Sequence, residues 1–187
     1  MAPEVVPPRA DAGRSRACFM TSERLGFGTW TTDDDALATA IWGDPEVTRL
    51  SGGPFTPVQV RTRLEAEISN LLHHGIQYWP LFRRDTGAPV GCCGLQPRDP
   101  AAGVLELGYH LRREAWGQGY ATEAGRAVIA WAAARGVPAL FAGHHPQNHA
   151  SGRTLRKLGF TYTHDEHYPP TGLLEPCYLL RLTDEGG

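Results

Sequence analysis

The order of candidate strands and helices in this chain predicts an α/β (α+β) domain, a mixed sheet of about six to seven strands flanked by about four helices. Three observations carry that prediction. The 187 residues, 41% hydrophobic and 20% charged, suit one domain with a sizeable core. Apolar residues recur at helical spacing in some stretches and as short β-type runs between them. The clearest strand, Val104–Leu111, runs through a Gly-rich turn into a long helix.

The pattern reads in order. Residues 1 to about 20 are rich in Pro, Ala and Arg without apolar periodicity, which predicts a mobile tail ahead of a domain over 21–187. Thr21 to Thr32 predicts a first strand. Asp33-Asp34-Asp35 opens a short helix through Ala36, Leu37, Ala40 and Ile41, broken by Gly43-Asp44-Pro45. Thr56 and Pro57 start a helix that carries Val60, Leu64, Ile68, Leu71 and Leu72 on one face. Tyr78 to Phe82 and Val90 to Leu95 predict two strands joined at Asp85-Thr86-Gly87. After Val104–Leu111 come a helix from Gly119 to Ala134, a strand from Ala139 to Gly143, and a helix from Asn148 to Leu158 stopped by Gly159. Phe160 to His164 and Pro176 to Leu182 close the chain as strands.

Composition excludes several classes. A net charge of -2 with scattered basic residues does not mark a nucleic-acid partner. No apolar run approaches the roughly 20 residues that span a bilayer, and no secretory leader is visible. Cys92 and Cys93 point to opposite faces of a strand, so with Cys18 and Cys177 they predict reduced thiols and a cytoplasmic protein. His144, His145 and His149 are close in sequence, but no fourth ligand has suitable spacing, so no metal is expected.

The Gly-rich turn is Trp116-Gly117-Gln118-Gly119-Tyr120-Ala121-Thr122, followed by Glu123. A strand, a glycine turn and a helix N-terminus form a phosphate-binding arrangement: glycine lets the backbone approach an anion, and the first helical N–H groups have no intrahelical partner. The Walker and dinucleotide patterns are both incomplete here. On these residues alone an ordinary tight turn is an equal reading.

The wider pattern resembles the GNAT N-acetyltransferase superfamily, in the branch of the ribosomal-protein N-terminal alanine acetyltransferases. The resemblance rests on Glu106-Leu107-Gly108-Tyr109, the turn just described, Asn148-His149-Ala150-Ser151, and Leu155-Arg156-Lys157-Leu158-Gly159-Phe160, and it spans about Thr21 to Phe160. It implies a mostly antiparallel sheet and acetyl-CoA as co-substrate without a metal. Trp116, Gly117, Gln118, Gly119, Tyr120, Ala121 and Thr122 then cradle the pyrophosphate, with Trp116 where the superfamily carries Gln or Arg. The backbone of Tyr109, His110 and Leu111 pairs with the pantetheine arm, Asn148 bonds it, and a cation among Arg112, Arg113 and Arg126 meets the adenine end. A homodimer is a further implication.

Acyl transfer to an amine needs a neutral nucleophile and a proton for the leaving thiolate. At pH 7 a Lys side chain is neutral about 0.04% of the time, an α-amino group about 10–20%. The implied acceptor is thus a protein N-terminus or a small-molecule amine, helped by a base. Alternation along Val104–Leu111 puts Val104, Glu106, Gly108 and His110 on one face, toward an acceptor cleft, and Leu105, Leu107, Tyr109 and Leu111 on the helix-packed face. Glu106 is the leading base and His110 the second choice. Ser151 is the candidate that protonates sulfur. The acceptor pocket is expected from Ser51 to Phe55, the helices before residue 75 and Asp165 to Leu174, with His164, His167 and Tyr168 nearby. Two other readings share the same cradle: a CoA-binding module without catalysis, and transfer of a longer acyl group.

Overall fold

The computed structural model of the protein describes residues 16–183. In chain order the elements are β1 (Met20–Thr21), β2 (Leu25–Phe27), α1 (Asp35–Trp42), α2 (Pro45–Thr48), α3 (Pro57–His74), β3 (Tyr78–Arg83), β4 (Pro89–Asp99), β5 (Val104–Leu111), a short 3-10 turn (Arg113–Ala115), α4 (Tyr120–Ala133), β6 (Ala139–Gly143), α5 (His149–Lys157), β7 (Thr161–Tyr168) and β8 (Leu173–Arg181). Among the described residues eight strands form one sheet in the order β1-β2-β3-β4-β5-β6-β8-β7. Each neighbouring pair is antiparallel except β5 and β6, which are parallel and joined by α4 as a β-α-β crossover.

The sheet separates two apolar clusters. On one face Trp30, Ala38, Ile41, Trp42, Val60 and Leu64 pack α1 and α3 over Tyr78 and Cys92. On the other, Ala124, Val128 and Ala132 at helical spacing on α4, with Leu155 and Leu158, pack over Leu81, Cys93, Leu95 and Leu107. Cys92 and Cys93 thus enter opposite cores as free thiols. The α3 helix starts on a capping box, in which Thr56 accepts from Gln59 N–H and the Gln59 side chain accepts from Thr56 N–H.

Several expectations change. The first strand is a hairpin, β1 with β2, rather than one run from Thr21 to Thr32, because Ser22 Oγ accepts from Leu25 N–H at 3.3 Å and Glu123 accepts from Arg24 N–H at 2.7 Å, which takes that backbone out of the ladder. The tail expected over residues 1–20 lies outside the described residues up to 15. From residue 16 the chain packs on the domain, with Arg16 bonded to Asp34 and the Phe19 ring 5.2 Å from Trp79. Asp44 does not only break a helix: it caps the one-turn α2 by accepting from Glu46 and Val47 N–H. The closing hairpin is longer than its predicted strands. Almost all of β7 is exposed, so it carries no apolar alternation to read.

One irregularity positions the site. Strand β5 pairs with β4 along its whole length, from Val104↔Asp99 to Leu111↔Gly91. It pairs with β6 only at Leu105↔Leu140 and Glu106↔Phe141. Beyond Glu106 the parallel pair splays, and the stretch 108–111 has a neighbour on one side only.

Candidate active site

The α4 end of the splay is a cradle made of backbone. Gly117 and Gly119 hold φ of 73° and 80°, a region that L side chains avoid. Gly119 caps α4 with no side-chain hydrogen bond, and the first bond into the helix is Glu123 N–H to Gly119 O at 3.0 Å. The N–H groups of Tyr120, Ala121 and Thr122 precede that ladder and carry the positive end of the helix dipole. They open on a cleft of about 640 Å³ lined by Trp116, Gly117, Gly119, Tyr120, Ala121 and Thr122 on one wall and by Asn148, Ser151 and Thr154 on the other. An uncapped helix end behind two left-handed glycines, beside a strand edge without a neighbour, fits a diphosphate with an extended arm.

The loop is held from outside. Arg24 reaches Glu123 at 2.7 Å and Gln118 O at 3.0 Å, and its guanidinium lies 4.4 Å from the Tyr120 ring centroid. Ser22 Oγ adds a bond to Glu123 at 2.6 Å. Gln118 turns its amide to Glu114 O at 2.6 Å and does not join the cleft wall. Trp116, 48% exposed, donates its indole N–H to Leu111 O at 2.8 Å, so it braces the strand end against the turn.

Across the splay lies a smaller chamber of about 230 Å³. The two spaces share Leu50, Ser51, Tyr109, His110, Asn148 and Ser151, so they meet where β5 faces the start of α5. There the Tyr109 and Ser151 hydroxyls are 2.7 Å apart. One O–H bridges the pair and leaves the other proton for a third atom. Burial pushes the Tyr109 phenol up to about 12, so it is protonated at neutral pH. Asn148 caps α5 by accepting from Ser151 N–H at 3.1 Å, and this sets the serine's direction.

Glu106 faces the chamber, on the face that alternation assigned to it. Burial raises its carboxyl above the ordinary range, while Arg98, Arg63 and the Tyr78 hydroxyl pull it back. Tyr78 lies directly over Gly108: a Cβ there would sit 2.1 Å from the Tyr78 oxygen, so only glycine admits the phenol at this point. His110 is pushed down to about 3 by burial and by Arg63, and at neutral pH it is an uncharged and very weak base. Beneath these groups Glu67 is fully buried, receiving Arg63 Nε at 2.9 Å, Gln96 Nε2 at 2.9 Å and Tyr78 N–H at 2.7 Å. Sequence reasoning did not find this support. A glutamate inside an apolar helix stripe, near Leu64 and Ile68, was its one available signal.

The other expected residues divide. Ser51, Phe55, His167 and Tyr168 line the chamber, whereas His164 does not. Arg113 is tied to Asp44 at 2.9 Å and Arg112 lies 3.7 Å from Glu114, while Arg126 is exposed away from the cleft; the cations that line it are Arg49, Arg153 and Lys157. His144 stacks on Tyr178 and bonds His145 O, so it does not gather with His149. Among the described residues the one group with metal-ligand atoms close together is His164, Glu166 and Cys177, within 4.8 Å, and Arg98 holds that glutamate at 2.5 and 2.7 Å.

A protein in which an anion-binding helix end and a desolvated carboxylate meet across one sheet is equipped to move a group from a phosphate-bearing carrier. Comparison with known proteins agrees. Residues 24–161 match the Acetyltransferase (GNAT) domain family. The chain is 30% identical over 142 residues to an uncharacterized N-acetyltransferase, p20, of Bacillus licheniformis, a match covering 74% of this chain and 80% of that protein. A GNAT-family acetyltransferase from Bacillus anthracis superposes with a TM-score of 0.75 at 18% identity, over 87% of this chain and 98% of the other. RimL, a ribosomal alpha-N-protein acetyltransferase solved in complex with coenzyme A, gives 0.73 at 16% identity over 86% and 95%. The chain belongs to the GNAT superfamily and is an acetyltransferase.

Proposed function

We propose that the protein transfers an acetyl group from acetyl-CoA to a primary amine by direct attack, both substrates being bound together. The observation that carries this reading is the shared wall of the two spaces: the cleft that fits the carrier opens, at Tyr109 and Ser151, into the chamber that holds Glu106. RimL is bound to coenzyme A in its solved structure, and the cradle here has the donors for the same diphosphate. The ordered motifs also support membership in the N-terminal acetyltransferase branch, and the free cysteines support a cytoplasmic setting.

Acetyl-CoA supplies an acyl group on a thiol leaving group. The N–H groups of Tyr120, Ala121 and Thr122 hold its diphosphate, and the open edge of β5 aligns its arm. Glu106 takes the proton that the substrate ammonium must lose before its nitrogen can attack. Its raised proton affinity makes it a better acceptor than an exposed carboxylate. As the C–N bond forms and the C–S bond breaks, the Tyr109–Ser151 pair presents a hydroxyl proton to the departing sulfur and is restored by the second proton that the nitrogen sheds as it becomes an amide. The full chain with acetyl-CoA and a panel of peptides and small amines tests this: acetylated amine with matching thiol release is expected. Tight acetyl-CoA binding with no product from any amine would replace this reading with a non-catalytic CoA-binding module.

A further inference from the structure

The chamber holds more negative charge than its own cations neutralise. Its two arginines are engaged, Arg63 by Glu67 at 2.9 Å and Arg98 by Glu166 at 2.5 Å. Its buried histidines add little positive charge: His110 is uncharged at neutral pH, and burial pulls His144 below its ordinary range. His145 and His167 sit at the wall. Among the described residues two of its carboxylates have no ion-pair partner, Glu106 on β5 and Glu175 on β8.

Glu175 is the less expected of the two. It is only 7% exposed, and the hydrogen bond to its carboxylate comes from a neutral hydroxyl, Thr171 Oγ1 at 3.1 Å. A buried carboxylate with one neutral donor is costly unless a cation reaches it. The strand register puts it on the same face as Glu106. Glu106 pairs with Phe141, Phe141 pairs with Leu179, and Glu175 is four residues along β8 from Leu179. Two strand spacings and four residues place the two Cα atoms on the order of 16 Å apart. Strand side chains stand roughly perpendicular to the sheet, so the two carboxylates keep a comparable separation, more than the roughly 6 Å that one ammonium bridges. Phe55, Tyr78 and Tyr168 line the same chamber, as walls for methylenes and for a cation against an aromatic face.

Building on the acetyltransferase reading above, we infer that the acceptor is a small molecule with two positive charges, an aliphatic diamine or polyamine. Glu106 receives the ammonium that reacts and Glu175 holds the second one. Burial raises the Glu175 carboxyl, the Thr171 hydroxyl and the nearby His145 pull it back only in part, and the second ammonium offsets the rest.

The test measures kcat/KM for the full chain with saturating acetyl-CoA. Its substrates are α,ω-diamines of increasing length, n-alkyl monoamines matched in length, an α-amino acid and a short peptide. A diamine of optimal length is expected to exceed its matched monoamine by about tenfold or more, chiefly through KM. In Glu175→Gln that ratio falls to about one, and Glu175→Asp keeps part of it. The ratio is internal to each variant, so a general loss of folded protein does not imitate the effect. A wild-type ratio near one, a preference for the amino acid or the peptide, or a ratio that survives in Glu175→Gln overturns the inference and leaves the acetyltransferase reading standing. Absence of product from every amine overturns both.

Discussion

The cradle and the chamber meet at one strand and, on the proposed reading, recognise their ligands by different means. The cradle uses main-chain N–H groups, fixed by two glycine conformations and by the start of α4. The chamber uses side chains from every strand from β3 to β8, from α3 and α5, and from the loop after α2. A backbone site is insensitive to most side-chain changes and sensitive to a few that alter φ. A side-chain site has the opposite weakness, because each wall residue is a separate chemical choice. The difference predicts where substitutions act.

The largest effect is expected at the chamber. Glu106→Gln should lower kcat by about 10²- to 10⁴-fold, the range for loss of a general base. Acetyl-CoA affinity by calorimetry should stay within about twofold, since the cradle is untouched. A parallel loss of affinity would break the distinction between the two sites. Next comes the cradle's own weak point. Gly119→Ala forces a Cβ into φ 80°, at a cost of about 1–2 kcal/mol, and should weaken acetyl-CoA binding by about tenfold in the same calorimeter.

The junction should respond more gently. Tyr109→Phe leaves Ser151 as a lone hydroxyl, with an expected fall in kcat of about tenfold in steady-state assays and little change in acceptor KM. The same glutamate then gives a pH signature. Its folded-state pKa is raised, so ionising it costs stability: stability is full below the unfolded value and is lost as pH rises through the folded one. Glu106→Gln should therefore raise the melting temperature at pH 7.5 but not at pH 4, and the acid limb of kcat/KM should lie above the ordinary carboxylate value of 4.5 and vanish in the variant. Smallest of all is Gln118→Ala, in the middle of the motif. Its amide faces Glu114 rather than the cleft, and acetyl-CoA affinity should change by less than about twofold.

What the sequence made legible follows the same division. The cradle was visible because a backbone site writes itself as closely spaced glycines between a strand and a helix. Glu106 was visible because alternation on β5 holds without a bulge up to Leu111. The acid at 175 was not, since it comes from a hairpin whose outer strand has no apolar period, and its burial depends on chain segments far away in sequence. The same holds for Glu67, whose partners at 63, 78 and 96 meet only after the sheet and α3 have packed. Trp116 was read as a missing polar group in the cradle. Its indole bond to Leu111 O depends on the return path of the turn, which residue spacing does not encode.

The clamp formed by Ser22 and Arg24 on Glu123 and Gln118 spans about a hundred positions of chain. It fixes the glycine turn before any ligand arrives, so less conformational entropy remains to be lost when a diphosphate binds. On the proposed reading Arg24 contributes to affinity for a molecule it need never touch, and the first hairpin of the chain becomes part of the equilibrium constant of a loop encoded far downstream.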